Sequence, residues 1–329
     1  MQNSSPEAPP ESPVGRRFQI LSLDGGGIRG LFSAGLLATW QDNLGHPITD
    51  HFDLITGTST GGIIAIGLGL GLQPRELVEF YRNHGPNIFP GRWQKPFRWF
   101  RHWRRSKFGN KALRESLEDA FQHKLLGHSR KRLVIPSFDL GNGGVRVFKT
   151  AHHIELATDH KVPAWKVAMA TSAAPSYLPA FRGIDHRRLV DGGVWANNPC
   201  MVGIVDAIAK LAVPLENIHV LSIGTTNALT YPPDHLDQGG KLRWAKWAPE
   251  VIMQGQSASA AGQGALLLGR DRFLRINPQM PDGLFSLDYA DAGKLLAAAS
   301  HEAMHTEAAV RERFFAHLAP EFTPFHQSN

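Results

Sequence analysis

The feature that most constrains this chain is a serine set among glycines, between a predicted strand and a predicted helix. The apolar run that starts at Phe52 leads into Gly57-Thr-Ser-Thr-Gly61, and a helix-like run follows from Ile63. A turn sharp enough to expose the serine oxygen leaves no room for side chains two residues to either side. Ser59 is therefore a candidate nucleophile at a helix N-terminus, where the helix dipole favours negative charge. The alternative is a glycine-rich turn whose serine only caps the helix.

Length and composition indicate an ordinary globular protein. The chain has 329 residues, of which 42% are hydrophobic and 19% charged, enough for one large α/β domain. The net charge of +6 suits an anionic partner such as a membrane surface, although no DNA or RNA partner is expected. The single cysteine, Cys200, excludes an intrachain disulfide and fits a reducing compartment. We expect a small buried residue there, and a cytoplasmic protein that acts at the membrane surface.

The N-terminal segment and the most apolar segment of the chain help to define the domain. Residues 1–16 are rich in proline, serine and glutamate and have no apolar run, so we expect a disordered tail and no signal peptide. Residues 61–72 are strongly apolar but too short for a membrane span, which needs about 20 residues. This segment is predicted to be a buried core helix. No internal repeat or clean linker follows the tail, so a single domain is the better interpretation, and a homo-oligomer remains open.

Strands and helices are predicted to alternate along the chain. The predicted strands are 18–23, 52–56, 133–140, 145–149, 189–190 and 218–223. The predicted helices cover 31–44, the run from Ile63, 74–81, 110–125, 163–174, 198–211 and about 288–317. Because the strands are apolar throughout, this alternation indicates an α/β fold with a mostly parallel sheet covered by helices on both faces.

A glycine-rich turn follows the first strand. Gly25-x-Gly27-x-x-Gly30 also matches the dinucleotide-binding fingerprint, so a Rossmann-type oxidoreductase is the alternative function. Three consecutive glycines after an aspartate expose backbone N–H groups, and a second glycine turn with a serine has no role in a Rossmann site. Acyl transfer uses both features, because the amides of Gly25, Gly26 and Gly27 can hold an oxyanion. Arg29 would add positive charge there, unless it is a surface salt-bridge residue.

The third stretch is Asp191-Gly-Gly193, directly after a short apolar strand. A serine nucleophile needs a base, and a carboxylate held at a tight turn of the same sheet edge can serve. His152, His153 and His186 are weak candidates for a third member. No histidine or cysteine cluster has the spacing of a metal site, so no metal is expected. We also expect Asp191 to be buried beside the serine, because burial raises the pKa of a carboxyl and makes it a workable base.

The three motifs, in this order, resemble the patatin-like phospholipase family, and residues 170–179 resemble the family's helix and loop before the aspartate. The likeness extends over residues 18–226. It implies the three-layer patatin fold, with a catalytic domain at 17–226 and a helical C-terminal part, 227–329, packed on it. It also implies a Ser59–Asp191 dyad without histidine, acting through an acyl-enzyme on the fatty-acyl esters of membrane glycerophospholipids. The oxyanion hole would lie at Gly25, Gly26, Gly27 and Arg29. The remaining motif glycines are Gly30, Gly57, Gly61, Gly192 and Gly193.

A second resemblance concerns regulation. The segments Phe18–Gly30 and Gly269–Asn277 resemble patatin-like effectors of bacterial anti-phage systems, which a cyclic dinucleotide activates. The resemblance implies such an activator and no catalytic cofactor. The arginines that could pair with its phosphates, or else lie on a solvated surface, are Arg243, Arg270, Arg272 and Arg275.

Residues 91–107 combine seven basic and five aromatic residues. Such a stretch suits an anionic bilayer, with aromatics at headgroup depth and arginines on phosphates. A lid, a solvated face and a nucleic-acid contact are the alternatives. The residues predicted to form the lid or membrane contact are Trp99, Phe100, Arg101, Trp103 and Arg104.

Overall fold

The structure is a computed structural model, and it describes residues 16–88, 110–228, 236–280, 285–286 and 289–328. Its strands are β1 (Phe18–Leu23), β2 (Leu54–Gly57), β3 (Arg132–Asp139), β4 (Gly144–Lys149), β5 (Leu189–Asp191), β6 (Ile218–Ile223), β7 (Asn227–Ala228), β8 (Phe273–Ile276), β9 (Gln279–Met280), β10 (Phe285–Ser286) and β11 (Tyr289–Ala290). Its α-helices are α1 (Gly30–Asp42), α2 (Thr60–Gly69), α3 (Pro74–Ile88), α4 (Asn110–Phe121), α5 (Ala164–Ser172), α6 (Gly193–Ala196), α7 (Cys200–Leu211), α8 (Lys241–Leu268) and α9 (Ala292–Val310).

The central sheet has the order β4-β3-β2-β1-β6-β8, with β5 also paired to β3. The strands from β3 to β8 in this order are parallel, whereas β4 and β5 are both antiparallel to β3. The predicted mostly parallel sheet is therefore confirmed. Strands β3 and β4 form a hairpin whose turn has the sequence Gly141-Asn-Gly-Gly144.

Helices cover both faces of the sheet because side chains alternate along each strand. In β1, Leu21 and Leu23 belong to the apolar cluster under α1, α2, α3 and α9. Phe18 and Ile20 face the other way and pack with residues of α7 and α8. All six residues of β1 are buried, including the polar Gln19 and Ser22, as expected of a strand covered on both sides.

The chain after Thr226, predicted as a helical part, also contains strands. Strand β8 joins the central sheet beside β6, with Ser222 opposite Arg275. Its Phe-Leu-Arg-Ile sequence gives no recognisable strand signal, because an arginine lies in its centre. Helix α8 is 28 residues long and contains Pro249. Helix α3 also extends beyond its predicted end, to Ile88. Within the described residues, no helix is both long and apolar enough to cross a membrane.

Candidate active site

Ser59 lies at a strained backbone position between β2 and α2. Its φ of 56° and ψ of −123° are unusual for a residue other than glycine, and such strain is frequent at functional sites. A Cβ at Gly57 would lie 2.2 Å from the Gly61 carbonyl oxygen, and one at Gly61 would lie 2.3 Å from the Leu23 oxygen. Both positions therefore require glycine. The Ser59 side chain makes no capping hydrogen bond to α2, so the alternative of a simple capping serine is not what the geometry shows.

The glycine-rich turn after β1 lies beside Ser59. Strands β1 and β2 are adjacent and parallel, with Leu23 opposite Gly57, so their C-terminal turns meet at one sheet edge. A Cβ built on Gly25 would be 3.1 Å from the Ser59 Cβ. Gly26 and Gly27 line the same cavity as Ser59. The two glycine motifs are thus neighbours, as the parallel arrangement predicts.

Asp191 reaches this edge by a route that the sequence does not reveal. Strand β5 is antiparallel to β3, with Asp191 opposite Ser137, whereas β2 pairs with β3 only at residues 132–134. Since β4 occupies the other side of β3, β5 must take the place that β2 leaves. Strands β2 and β5 therefore lie end to end along the same side of β3, with their C-terminal ends facing each other. Their C-terminal residues therefore meet, and Asp191 faces the turn that carries Ser59.

The Asp191 carboxylate is buried and has no cation among the causes that set its pKa. Its residue is 5% exposed. Burial raises its pKa from the ordinary 3.8 to about 6, opposed by hydrogen bonds from the Ser59 hydroxyl and from the Gly193 N–H. The Gly193 nitrogen lies 2.7 Å from the carboxylate Oδ1. The expected burial of Asp191 is confirmed, and a pKa near 6 suits a base that works at neutral pH.

The glycine loop, residues 25–27, is held by hydrogen-bond donors that bind its backbone carbonyl oxygens. The Thr225 hydroxyl donates to the Gly25 oxygen at 3.1 Å, and the Arg29 Nε donates to the Gly26 oxygen at 3.3 Å. Arg29 also donates to the Thr226 oxygen. It lines a small polar recess on the Asp24 side of the loop and is not among the residues described around the Ser59 cavity. The predicted placement of its charge beside the oxyanion therefore gives way to a role in supporting the loop.

The three glycine amides differ in their availability. The Gly25 N–H donates to the Asn197 carbonyl at 3.0 Å, so this predicted oxyanion donor is already occupied. Within the described part of the chain, the N–H groups of Gly26 and Gly27 have no hydrogen-bond acceptor. These two amides remain as candidate donors.

The cavity beside Ser59 has a volume of about 320 Å³ and is lined mainly by apolar side chains. Its inner end is formed by buried residues of α2, α3 and α4, among them Ile63, Tyr81 and Leu113. Its outer end is formed by Val194 and by Ile252 of α8, which is 53% exposed. A pocket of this size with few polar groups suits an apolar ligand.

Three polar residues that position the site carry no motif in the sequence. Thr171 connects the two halves, since its hydroxyl accepts from the Ser59 N–H at 3.0 Å and donates to the Pro136 oxygen at 2.6 Å. Asn197 and Thr225 hold the glycine loop as described. Only Thr171 lies in a stretch that the sequence singles out, within residues 170–179.

The other predicted residues have different surroundings. None of the described residues around the cavity is a histidine. His152 is buried against Asp206, with its Nε2 2.7 Å from the carboxylate, while His153 and His186 lie outside the cavity lining. Burial raises the pKa of the Cys200 thiol to about 12, as befits an inert buried residue. Within the described residues, no group of metal-ligating side chains is found.

Two of the four candidate phosphate-binding arginines make structural contacts instead. Arg275 forms a bidentate ion pair with Asp24, at 2.8 and 2.5 Å. It is therefore a buried structural residue and a correction to the prediction of a ligand contact. Arg272 donates to the Leu215 carbonyl. The predicted membrane stretch, residues 91–107, lies outside the described residues, and so do Trp99, Phe100, Arg101, Trp103 and Arg104 within it.

A parallel sheet with a strained serine at a glycine turn, a buried aspartate and a free-amide loop defines an α/β acyl hydrolase. The family model for patatin-like phospholipases matches residues 21–204, and the chain belongs to this family. It is therefore a lipid acyl hydrolase, and the alternative of a Rossmann-type oxidoreductase is excluded.

Similar proteins include two named cGAMP-activated phospholipase. The one from Pseudomonas aeruginosa is 34% identical over 80% of this chain and 80% of its own length. The one from Vibrio cholerae is 30% identical over 90% of this chain and 92% of its own. Among solved structures, VipD from Legionella pneumophila covers 89% of this chain and 67% of its own, with 12% identity and a TM-score of 0.46.

Proposed function

We propose that this protein hydrolyses fatty-acyl esters of membrane glycerophospholipids with a Ser59–Asp191 dyad. The observation that supports this most is that the Ser59 hydroxyl and the buried Asp191 carboxylate, whose pKa it lowers, both line the same apolar cavity. An aspartate at its ordinary pKa is too weak a base for this task, and burial corrects the mismatch. The fatty-acyl chain of such a substrate fits the apolar lining, whereas a charged group would be poorly solvated there.

In the first half-reaction, the Ser59 oxygen attacks the ester carbonyl carbon while its proton passes to the Asp191 carboxylate. The carbonyl oxygen becomes an oxyanion, which the N–H groups of Gly26 and Gly27 stabilise. The α2 helix dipole favours the same negative charge. The tetrahedral intermediate then collapses, and the bond to the glycerol oxygen breaks. That oxygen takes the proton from Asp191 and leaves as a lysophospholipid.

In the second half-reaction, a water molecule attacks the acyl-enzyme. Asp191 accepts a proton from the water, and Ser59 regains it when the new tetrahedral intermediate collapses to a fatty acid. No histidine is needed in this scheme, because one carboxyl group accepts and returns the proton in both steps.

Labelling with a fluorophosphonate probe tests the nucleophile. The probe should modify the peptide that contains Ser59, and Ser59→Ala should abolish both labelling and release of fatty acid from phospholipid vesicles. Ser33→Ala is a matched control, since Ser33 is also buried and donates to a backbone carbonyl, that of Gly224. Labelling of another residue, or full hydrolysis by Ser59→Ala, would refute the proposal.

We further propose that a cyclic dinucleotide activates the enzyme, as part of an anti-phage response. The support is the similarity to relatives named cGAMP-activated phospholipase, over most of the chain. Hydrolysis should be low alone and rise with one member of a panel of cyclic dinucleotides. High activity that no nucleotide alters would refute the switch and leave the hydrolase proposal intact.

A separate experiment tests the membrane contact. Binding to anionic vesicles should weaken when Trp99, Arg101, Trp103 and Arg104 are replaced.

A further inference from the structure

A second cavity lies behind the active-site cavity. It has a volume of about 310 Å³ and lies between α2, α3 and α4. Two residues, Ile63 and Phe80, line both cavities. They therefore form the wall between them.

The wall is close to the nucleophile and well packed. Ile63 is in the first turn of α2, four residues after Ser59, and its N–H donates to the backbone carbonyl oxygen of Ser59 at 3.0 Å. Phe80 is 8% exposed, and its ring meets the rings of Tyr81 and His84 at 5.4 and 5.3 Å. Tyr81 is fixed in turn, since its hydroxyl donates to the Thr60 oxygen at 3.0 Å.

The second cavity has a mixed lining, and its apolar part suits an extension for an acyl chain. Leu72, Leu77, Ala120 and Phe121 form the apolar part, and the polar part consists of Glu76, Glu79, Asn83, His84 and Gln122. Removing the Phe80 ring would join the apolar active-site cavity to this second space, where a longer chain would lie against the apolar part of the lining. Methylene groups that now meet the wall could then be buried.

We propose that Phe80, supported by Ile63, sets the acyl-chain length of the substrate by closing the inner end of the active-site cavity. The space behind the wall is a distal acyl site that longer chains enter only when the wall is opened. This inference rests on the proposed function, since it assumes that the cavity beside Ser59 holds the acyl chain.

The test compares kcat/KM for octanoyl, dodecanoyl and palmitoyl esters. Phe80→Ala should raise the ratio of palmitoyl to octanoyl hydrolysis at least about tenfold, because even one added methylene in an apolar pocket changes kcat/KM about tenfold or more. Leu77→Ala is the matched control, because Leu77 lines the second cavity but not the first. It also removes a buried side chain but leaves the wall in place, so its ratio should remain that of the wild type.

A double variant sharpens the test. Ala120 lines only the second cavity, so Phe80→Ala combined with Ala120→Phe should fill the added space and restore the original preference. An equal shift in Leu77→Ala, or no shift in Phe80→Ala, would overturn the inference. If Phe80→Ala does not fold, Phe80→Leu and Ile63→Ala open the wall less and should shift the ratio in the same direction.

Binding separates this inference from the proposed function. Calorimetry with octanoate and palmitate needs no catalysis, and Phe80→Ala should gain affinity for palmitate relative to octanoate. A binding shift in a protein that hydrolyses no ester would support the wall and refute the hydrolase. Normal hydrolysis with no change in either ratio would refute the wall alone.

Discussion

Asp24 follows β1 and Asp191 is the last residue of β5, and both are buried, at 3% and 5% exposed. Their partners differ. Asp24 accepts two hydrogen bonds from the Arg275 guanidinium, whereas Asp191 is bonded to the neutral Ser59 hydroxyl and Gly193 amide. Burial raises the pKa of both carboxyl groups, but at Asp24 the positive charge of Arg275 opposes this effect, whereas at Asp191 only neutral hydrogen-bond donors do. The difference shows how two buried aspartates provide a structural anchor and a candidate base.

The ion pair also supports the turn that carries the glycine loop. Burial would lower the pKa of Arg275, but the Asp24 carboxylate more than compensates and raises it. Arg275 also donates to Ser222 of β6, so Asp24 ties the start of the loop to β6 and β8. Asp191 has no such ion pair, since the groups that bond its carboxylate are the Gly193 N–H and the Ser59 hydroxyl.

The largest effect should come from Asp191→Asn. The amide keeps the size of the side chain but cannot accept the Ser59 proton, so kcat should fall by about 10³–10⁴-fold, in the range measured for disabled general bases and triads. Initial rates on a phospholipid or ester substrate, with circular dichroism to check the fold, measure this. Near-native turnover would show that Asp191 is not the base.

The second prediction concerns Asp24→Asn, which should act on stability. It leaves the Arg275 guanidinium buried without its counter-ion, and breaking a buried pair in this way costs about 3–5 kcal/mol. Urea unfolding should show this loss, with activity falling only as the folded fraction falls. Asp24→Asn combined with Arg275→Met removes the stranded charge and should recover much of the stability. A stable Asp24→Asn protein without activity would assign Asp24 to catalysis and end the contrast.

The third prediction is a pH dependence that belongs to Asp191. Because the base must be ionised, kcat/KM should fall tenfold per pH unit below its pKa of about 6. The folded pKa lies above the ordinary 3.8, so the folded state binds the proton more tightly than the unfolded state. The stability that this proton provides is full below about pH 4 and is lost as the pH rises through about 6.

Two pKa units correspond to roughly 3 kcal/mol. Asp191→Asn has no ionisable group there, so it should be more stable than the wild type by up to this amount at neutral pH, and the difference should vanish near pH 4. Unfolding in urea at several pH values, wild type against variant, measures the difference. If the difference in the free energy of unfolding does not change with pH, burial does not destabilise the charged form of the Asp191 carboxyl group.

Some parts of the fold and of the site can be predicted from the sequence, and others cannot. Strands β1, β2 and β6 are recognisable because continuous apolar runs are typical of strands covered on both faces. The meeting of Ser59 and the glycine loop is predictable because each motif follows a strand of the parallel part of the sheet. The position of Asp191 beside them is not, because β5 is antiparallel to β3. Strand β8 cannot be recognised in the sequence, because a charged residue, Arg275, lies within it. Its partner, Asp24, comes close only in the folded chain.

Supporting contacts are harder to predict than the groups that they support. Thr171 and Thr225 act through single hydrogen bonds to residues more than a hundred positions away, and no local pattern marks such a threonine. The hydrogen bond of the Gly25 N–H is equally hard to predict. Its acceptor, the Asn197 carbonyl, is distant in the sequence and comes close only in the fold. The antiparallel direction of β5 depends on tertiary pairing with β3, which three residues cannot encode.

The smallest predicted effect concerns the support of the loop between the two aspartates. Thr225→Val keeps the shape of the side chain but removes the hydroxyl that holds the Gly25 carbonyl, a hydrogen bond worth about 1 kcal/mol. If that bond aligns the Gly26 and Gly27 amides, kcat should fall roughly fivefold, because 1.36 kcal/mol corresponds to tenfold, and KM should change little. Thr56→Val is the matched control, since Thr56 makes a comparable bond to the Val134 carbonyl at 2.8 Å. It should lower stability by a similar amount without lowering kcat. Equal kcat values for both variants would mean that the oxyanion loop is rigid without Thr225, and that the Asp24–Arg275 pair suffices to hold it.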